Sequence, residues 1–322
     1  MKILITVPWE QKQMLRITQA FPQVEFQTAL TEDLVLPAVG DAEIVFGDLS
    51  RNAVLRAEKL RWIQCHGAGV NKLVAIPELM ASSIVVTNTS GAHAPTIAEH
   101  FFGGLISLTR HLPELYLAQK KREWTHWSEW AERIGRLPVG LAGMTIGVIG
   151  LGNIGRAIAE RANAFQMRVI AVDICDLPHP PYLAGFWNVN QIERLLEQSD
   201  VVVVTVPGTP ETANLLSKDR LALLKPAAYL GVLSRGGIVD EDAVAGMLIE
   251  GRLAGAVMDV FQKEPLPTQS RLWDAPNLIL TPHTSGKSEQ TTTAATSIFI
   301  ENLKSYQAGR PLKNVIKKDL GF

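Results

Sequence analysis

The sequence predicts an α/β protein made of two doubly wound domains, each a parallel sheet with helices on both faces. Three observations predict it. The chain has 322 residues, about twice the length of a typical domain. Short apolar runs alternate with helical patterns along most of it, as expected of strands buried on both faces of a parallel sheet. A glycine-rich G-x-G-x-x-G stretch lies between one such run and a helical pattern.

In chain order, residues 3–7 read as a strand and 11–20 as an amphipathic helix; further strands are expected at 24–27, 43–46, 62–65 and 84–87. A long helix is predicted over residues 95–121, with Pro95 suited to its first turn and Ile97, Phe101, Leu105 and Leu108 on its apolar face. Trp124, Trp127 and Trp130 follow at a spacing of three, which suggests one helix face. That face either packs against a neighbouring domain or subunit or walls a substrate cleft. The alternation resumes with strands expected at 145–149, 168–172, 200–206, 228–233, 254–259 and 277–281, and the stretch 287–308 is helical again. Its place after the second series suggests a return to the first domain.

Composition excludes several classes. Hydrophobic residues make up 47% and charged residues 20%, which rules out wholesale disorder. A net charge of -1 supplies no basic surplus for nucleic acid, and the Lys317-Lys318 pair reads as a solvated end. The two cysteines, Cys65 and Cys175, cannot build a disulfide framework or a four-ligand metal site, so no metal is expected and a reducing cytoplasm fits. The apolar run at residues 3–7 is too short for a targeting segment, and no run of about 18 apolar residues predicts a membrane span.

The glycine-rich stretch carries the first chemistry. The strand at 145–149 runs directly into Gly150-Leu-Gly152-Asn-Ile-Gly155, and a helix pattern follows. Gly150 permits the tight turn, Gly152 lets a pyrophosphate approach the backbone, and Gly155 lets the helix pack close to its strand. The helix N-terminus then offers N–H groups and a positive dipole end to the phosphates. Asp173 ends the next strand, 23 residues after Gly150. A carboxylate there would bind the ribose hydroxyls and repel a 2′-phosphate, which favours NAD over NADP. The plainer reading of Asp173 is a strand-end residue that caps a turn.

Three charged segments follow strand ends: Ser234-Arg235-Gly-Gly, Asp259 to Glu264-Pro, and Thr281-Pro-His283. An Arg, a Glu and a His at successive strand ends suit reduction of a charged carbonyl compound. In these segments the chain resembles the D-isomer-specific 2-hydroxyacid dehydrogenases, which include phosphoglycerate dehydrogenases and glyoxylate/hydroxypyruvate reductases. The resemblance rests on His66-Gly-Ala-Gly-Val, Ile97-Ala-Glu-His100, the Gly150 motif, Val206-Pro207-Gly-Thr-Pro-Glu-Thr212, Ser234-Arg-Gly-Gly-Ile-Val-Asp, Asp259-Val-Phe with Glu264-Pro-Leu-Pro, and Thr281-Pro-His283, in order over the whole length.

The resemblance implies two Rossmann-like domains. A flavodoxin-like substrate domain would comprise residues 1–99 with 286–322, and an NAD-binding domain residues 100–285, with the active site in the cleft between them. It implies hydride transfer between NAD and a small 2-keto or D-2-hydroxy acid. His283 would be the acid/base, a task suited to imidazole, which titrates near neutral pH. Glu264 would orient it, and Arg235 would hold the substrate carboxylate. Backbone N–H groups of Ala68 and Gly69 would also bind substrate. Asp259 would accept a hydrogen bond from the nicotinamide amide. Asn153 and Ile154 would contact the pyrophosphate, and Val206, Pro207, Thr212, Leu233, Ser234 and Gly286 would border the cofactor.

Three positions depart from the family pattern: Gly208 where Leu is usual, Val232 where Asn is usual, and Ser234 where Ala or Gly is common. Glu264 separates the chain from the related formate dehydrogenases, which carry Gln there. Homodimerisation is expected on the same grounds. The rival reading is an NAD-sensing, corepressor-like binding module of the same fold with little turnover.

Overall fold

The structure is a computed structural model that describes residues 1–318, apart from 125, 136 and the side chains of 127, 131 and 134. It divides into two units, one of Met1–His93 with Lys287–Phe322, the other of Ala94–Gly286.

The first unit is a five-stranded parallel sheet of β1 (Lys2–Ile5), β2 (Glu25–Thr28), β3 (Ile44–Phe46), β4 (Trp62–Gln64) and β5 (Val85–Thr87), in the order β2-β1-β3-β4-β5. β3 and β4 are buried throughout, as short apolar strands covered on both faces must be. The helix Glu289–Gln307 completes one face. Its Phe299 is fully buried and stacks on Phe46 with ring centroids 4.4 Å apart, beside Trp62 at 5.8 Å. The buried polar groups of Gln64, Thr87, Asn302 and Trp62 are paired. Asn302 Nδ2 and Thr87 Oγ1 both donate to Gln64 Oε1, at 3.0 and 2.9 Å, and Trp62 Nε1 donates to Thr87 Oγ1 at 2.8 Å.

The second unit holds β6 (Thr145–Ile149), β7 (Arg168–Asp173), β8 (Leu183–Asn188), β9 (Val201–Val204), β10 (Ala228–Val232), β11 (Leu253–Met258) and β12 (Leu278–Leu280). They form one parallel sheet in the order β12-β11-β10-β9-β6-β7-β8. Alternate residues of β9 feed opposite faces: Val202 and Val204 enter one core, Val201 and Val203 the other. Among the described residues, no helix is long and apolar enough to cross a membrane.

Three expectations are corrected here. The helix predicted over 95–121 is two helices, Ala94–Thr109 and Leu112–Lys120, broken at His111, whose φ is 54°. Pro113 explains the break, because a proline is tolerated in the first turn of a helix but not in its interior. Trp124 and Trp130 do not share a helix face. Trp124 precedes the helix Trp127–Ile134 and is fully exposed, Trp130 is buried, and the side chain of Trp127 lies outside the described residues. Finally, β8 was not anticipated; its sequence, LAGFWN, is neither aliphatic nor alternating, and at the sheet edge it stays half-exposed.

Candidate active site

The strand order of the second unit reverses between β6 and β9: the chain builds outward through β7 and β8, then returns to β9 and builds the other way. Loops leaving the carboxyl ends of β6 and β9 diverge there and leave a crevice, the usual ligand position in an open α/β sheet. Gly150 follows β6 with a φ of 93°, and a Cβ on it would meet Val206 Cγ1 at 2.8 Å. A Cβ on Gly155 would lie 2.0 Å from the carbonyl oxygen of Gly150, so only glycine lets the helix Asn153–Ala164 start this close to β6. Gly152 is the opposite case. It is exposed, and its added Cβ would meet nothing within 4 Å, so the backbone ahead of the helix stays open to a ligand. Asn153 and Ile154 form the first turn behind it.

Asp173 ends β7 against the same loop. Its Oδ2 accepts from the Leu151 N–H at 2.7 Å and its Oδ1 from the Cys175 N–H at 3.0 Å. A carboxylate has about four acceptor positions, so each oxygen keeps one for a hydroxyl. After β9, Val206 and Pro207 face the Gly150 loop from the other side. Thr212 works inside its own loop: its Oγ1 accepts from the Thr209 N–H at 2.8 Å and donates to the Pro207 carbonyl at 2.7 Å.

After β10, Leu233 and Ser234 are buried, and the Ser234 hydroxyl has no hydrogen-bond partner among the described residues. A buried orphan hydroxyl in this crevice, together with the open backbone at Gly152, fits a dinucleotide that supplies the missing partner. Arg235 follows, with its Nη1 donating to the Ser234 carbonyl at 2.6 Å. Burial pulls its guanidinium below the ordinary value, and the charge of Glu264 offsets part of that. The departure at Gly208 has a physical account, since a Cβ there would sit 3.1 Å from both Cβ and Cγ of Arg235. Val232 is buried within β10.

His283 and Glu264 meet after β12 and β11. His283 Nδ1 lies 2.7 Å from Glu264 Oε2, and Glu264 Oε1 accepts from the Phe261 N–H at 3.0 Å. The side chains are 49% and 36% exposed, so the pair faces solvent. His283 has a φ of 52°, a left-handed conformation that costs a non-glycine residue about 1–3 kcal/mol and persists only when its surroundings hold it. Asp259 does the holding. Its carbonyl accepts from the His283 N–H at 2.9 Å. Its fully buried carboxylate accepts from Thr281 Oγ1 at 2.6 Å, the Thr284 N–H at 2.8 Å and the Ser285 N–H at 2.9 Å. This anchoring was not legible in the sequence. Gly286 closes the unit three residues beyond His283.

Ala68 and Gly69 belong to the first unit, in the loop after β4. Asn88 Nδ2 donates to the Ala68 carbonyl at 2.7 Å and the Cys65 thiol lies 3.5 Å from the Gly69 carbonyl, which leaves the loop tied through its carbonyls. Asp48, Cys65 and His66 bring three metal-ligand atoms within 4.8 Å of one another. Burial and the Asp48 charge push the Cys65 thiol up to about 12, which opposes the thiolate a metal needs.

A doubly wound parallel sheet with a glycine-rich loop at its switch point defines a dinucleotide-binding α/β protein. Residues 102–285 match the model of the D-isomer specific 2-hydroxyacid dehydrogenase NAD-binding domain, and the chain belongs to that family. It is 31% identical over 98% of its length to a D-3-phosphoglycerate dehydrogenase of Methanocaldococcus jannaschii, of which it covers 59%. It is 32% identical over 82% of its length to a glyoxylate reductase of Korarchaeum cryptofilum, of which it covers 78%. The chain thus spans about half the length of the first curated relatives it matches. Among solved structures, a D-isomer specific 2-hydroxyacid dehydrogenase family protein of Aeromonas salmonicida subsp. salmonicida superposes with a TM-score of 0.86 at 30% identity, with 99% of each chain covered. One from Xanthobacter autotrophicus, in complex with NADPH and MES, superposes at 0.84 with 26% identity, covering 100% of this chain and 99% of that one.

Proposed function

We propose that the chain is an NAD-dependent D-2-hydroxyacid dehydrogenase that interconverts a small 2-keto acid and its D-2-hydroxy acid. The observation that carries this reading is the His283–Glu264 pair at 2.7 Å, at the same carboxyl edge of the sheet as Arg235 and the glycine-rich loop. The bound nicotinamide would supply or accept the hydride. His283 gives the carbonyl oxygen a proton from Nε2 in reduction and takes it back in oxidation, while Glu264 fixes the ring through Nδ1. Arg235 pairs with the substrate carboxylate, and its partial desolvation strengthens that contact. NADH oxidation followed at 340 nm against a panel of 2-keto acids, glyoxylate and hydroxypyruvate among them, tests the reading. Turnover with at least one acid is the expected result. Tight NADH binding with no turnover on any acid would instead favour an NAD-sensing binding module.

The cofactor preference rests on Asp173. Its two remaining acceptor positions suit the ribose hydroxyls, and its charge repels a 2′-phosphate. Asp173→Ala should raise the KM for NADH about tenfold, the worth of a hydrogen bond to a charged group, and narrow the NADH-to-NADPH ratio of kcat/KM. An unchanged ratio would refute the assignment.

A homodimer is supported by the apolar residues Leu112, Leu115, Tyr116 and Leu117 on the helix Leu112–Lys120 and by Trp124, all exposed. Light scattering of the intact chain should give twice 35.2 kDa, and Tyr116→Asp with Leu117→Asp should give a single copy. Two free thiols accord with a cytoplasmic setting.

A further inference from the structure

His100 lies in the second turn of the helix Ala94–Thr109, and its Nε2 is 3.0 Å from Thr281 Oγ1. We propose that His100 is a positioning residue for the His283 loop, acting through Thr281 and Asp259. The inference rests on the reading above that His283 is the acid/base.

Proton bookkeeping fixes the direction of the relay. Thr281 has one hydroxyl proton, and Asp259 Oδ1 at 2.6 Å is a carboxylate oxygen that only accepts. The hydroxyl proton therefore goes to Asp259, and the lone pair left on Oγ1 faces His100. A hydrogen bond at that distance requires a proton on His100 Nε2, which sets the tautomer of a neutral ring. The relay runs from His100 to Thr281 to Asp259, each donating to the next.

Asp259 is wholly buried, so it depends on its donors. Three donate to its carboxylate: the Thr281 hydroxyl and the N–H groups of Thr284 and Ser285, which flank the turn at His283. The same residue accepts the His283 N–H on its carbonyl. Removing the Thr281 hydroxyl takes one donor from a buried charge and loosens the turn that keeps His283 in its left-handed conformation. His100 holds the hydroxyl in the rotamer that reaches Asp259.

The test uses the full chain with NADH and whichever 2-keto acid it turns over. His100→Phe removes the donor without touching Asp259, and Thr281→Val removes the hydroxyl. Both should lower kcat about tenfold, in line with the loss of a charge-assisted hydrogen bond, with the KM for NADH within about twofold of the parent. Thr281→Ser and His100→Gln keep the donors and should recover most of the rate. A purely structural role would lower the folded fraction and leave kcat per folded molecule unchanged; that result, or full activity in both His100→Phe and Thr281→Val, overturns the proposal. Amide hydrogen exchange at Thr284 and Ser285 reads the relay without turnover, so the two readings fail separately. Faster exchange in His100→Phe and Thr281→Val, reversed in Thr281→Ser, supports the relay even if no acid is reduced; unchanged exchange overturns it.

Discussion

His283→Ala is expected to lower kcat by about 10²–10⁴, the range over which a positioned general acid/base contributes. The expectation follows from geometry. Glu264 occupies Nδ1 at 2.7 Å and leaves Nε2 as the nitrogen that would meet substrate in the proposed reaction. The side chain is half-exposed, so a small anion reaches it, and alanine leaves no group to take its place. NADH affinity should stay within about threefold of the parent, because the proposed dinucleotide site is built mainly by the loops after β6, β7 and β9. Glu264→Gln should fall between the two: it keeps a hydrogen-bonding group beside the ring and loses the charge. Stopped-flow or steady-state rates of NADH oxidation, with NADH binding measured separately by fluorescence, check both variants. A His283→Ala enzyme with near-parental kcat would remove the acid/base role.

Phe299→Ala is expected to cost the first unit about 3–5 kcal/mol, the usual loss when a fully buried aromatic ring is truncated. Phe299 has no exposed surface and stacks on Phe46 while touching the Trp62 neighbourhood, so its removal opens a hole at the centre of that face. Unfolding of a chain with two units need not be two-state. The prediction is therefore specific to one transition: the unfolding step reported by Trp62 should move to lower denaturant, and the step that releases bound NADH should move much less. A uniform shift of both would mean that the units unfold as one.

Local features of this chain were legible from sequence, and convergent ones were not. Gly150, Gly152 and Gly155 announce themselves because turn, open backbone and close packing all fall within six consecutive residues. β9 is readable because four valines in a row suit only a strand covered on both sides. The helix break at His111 is not legible because Pro113 is compatible with the start of one helix as well as the end of another. β8 is not legible because an edge strand needs no apolar pattern. The partnership of Asp259 with Thr281, Thr284 and Ser285 spans more than twenty residues and exists only after β11 and β12 pair, so no spacing rule points to it. His100 is further away still, on a helix that precedes the sheet it serves. The departures at Gly208 and Ser234 acquire a reason only beside Arg235, where one makes room and the other offers an unused hydroxyl.

The interrupted first unit has a consequence for the chain as it leaves the ribosome. The second unit is continuous in sequence and can close once residue 286 has emerged. The first unit has all five of its strands by residue 87, yet it lacks the helix Glu289–Gln307 that covers Phe46 and Trp62. About two hundred residues separate the last strand from that helix. At about 5–20 residues per second, the N-terminal sheet waits some 10–40 s with one apolar face only partly covered. During that interval chaperone capture competes with aggregation, and a slower ribosome over residues 94–286 lengthens the exposure.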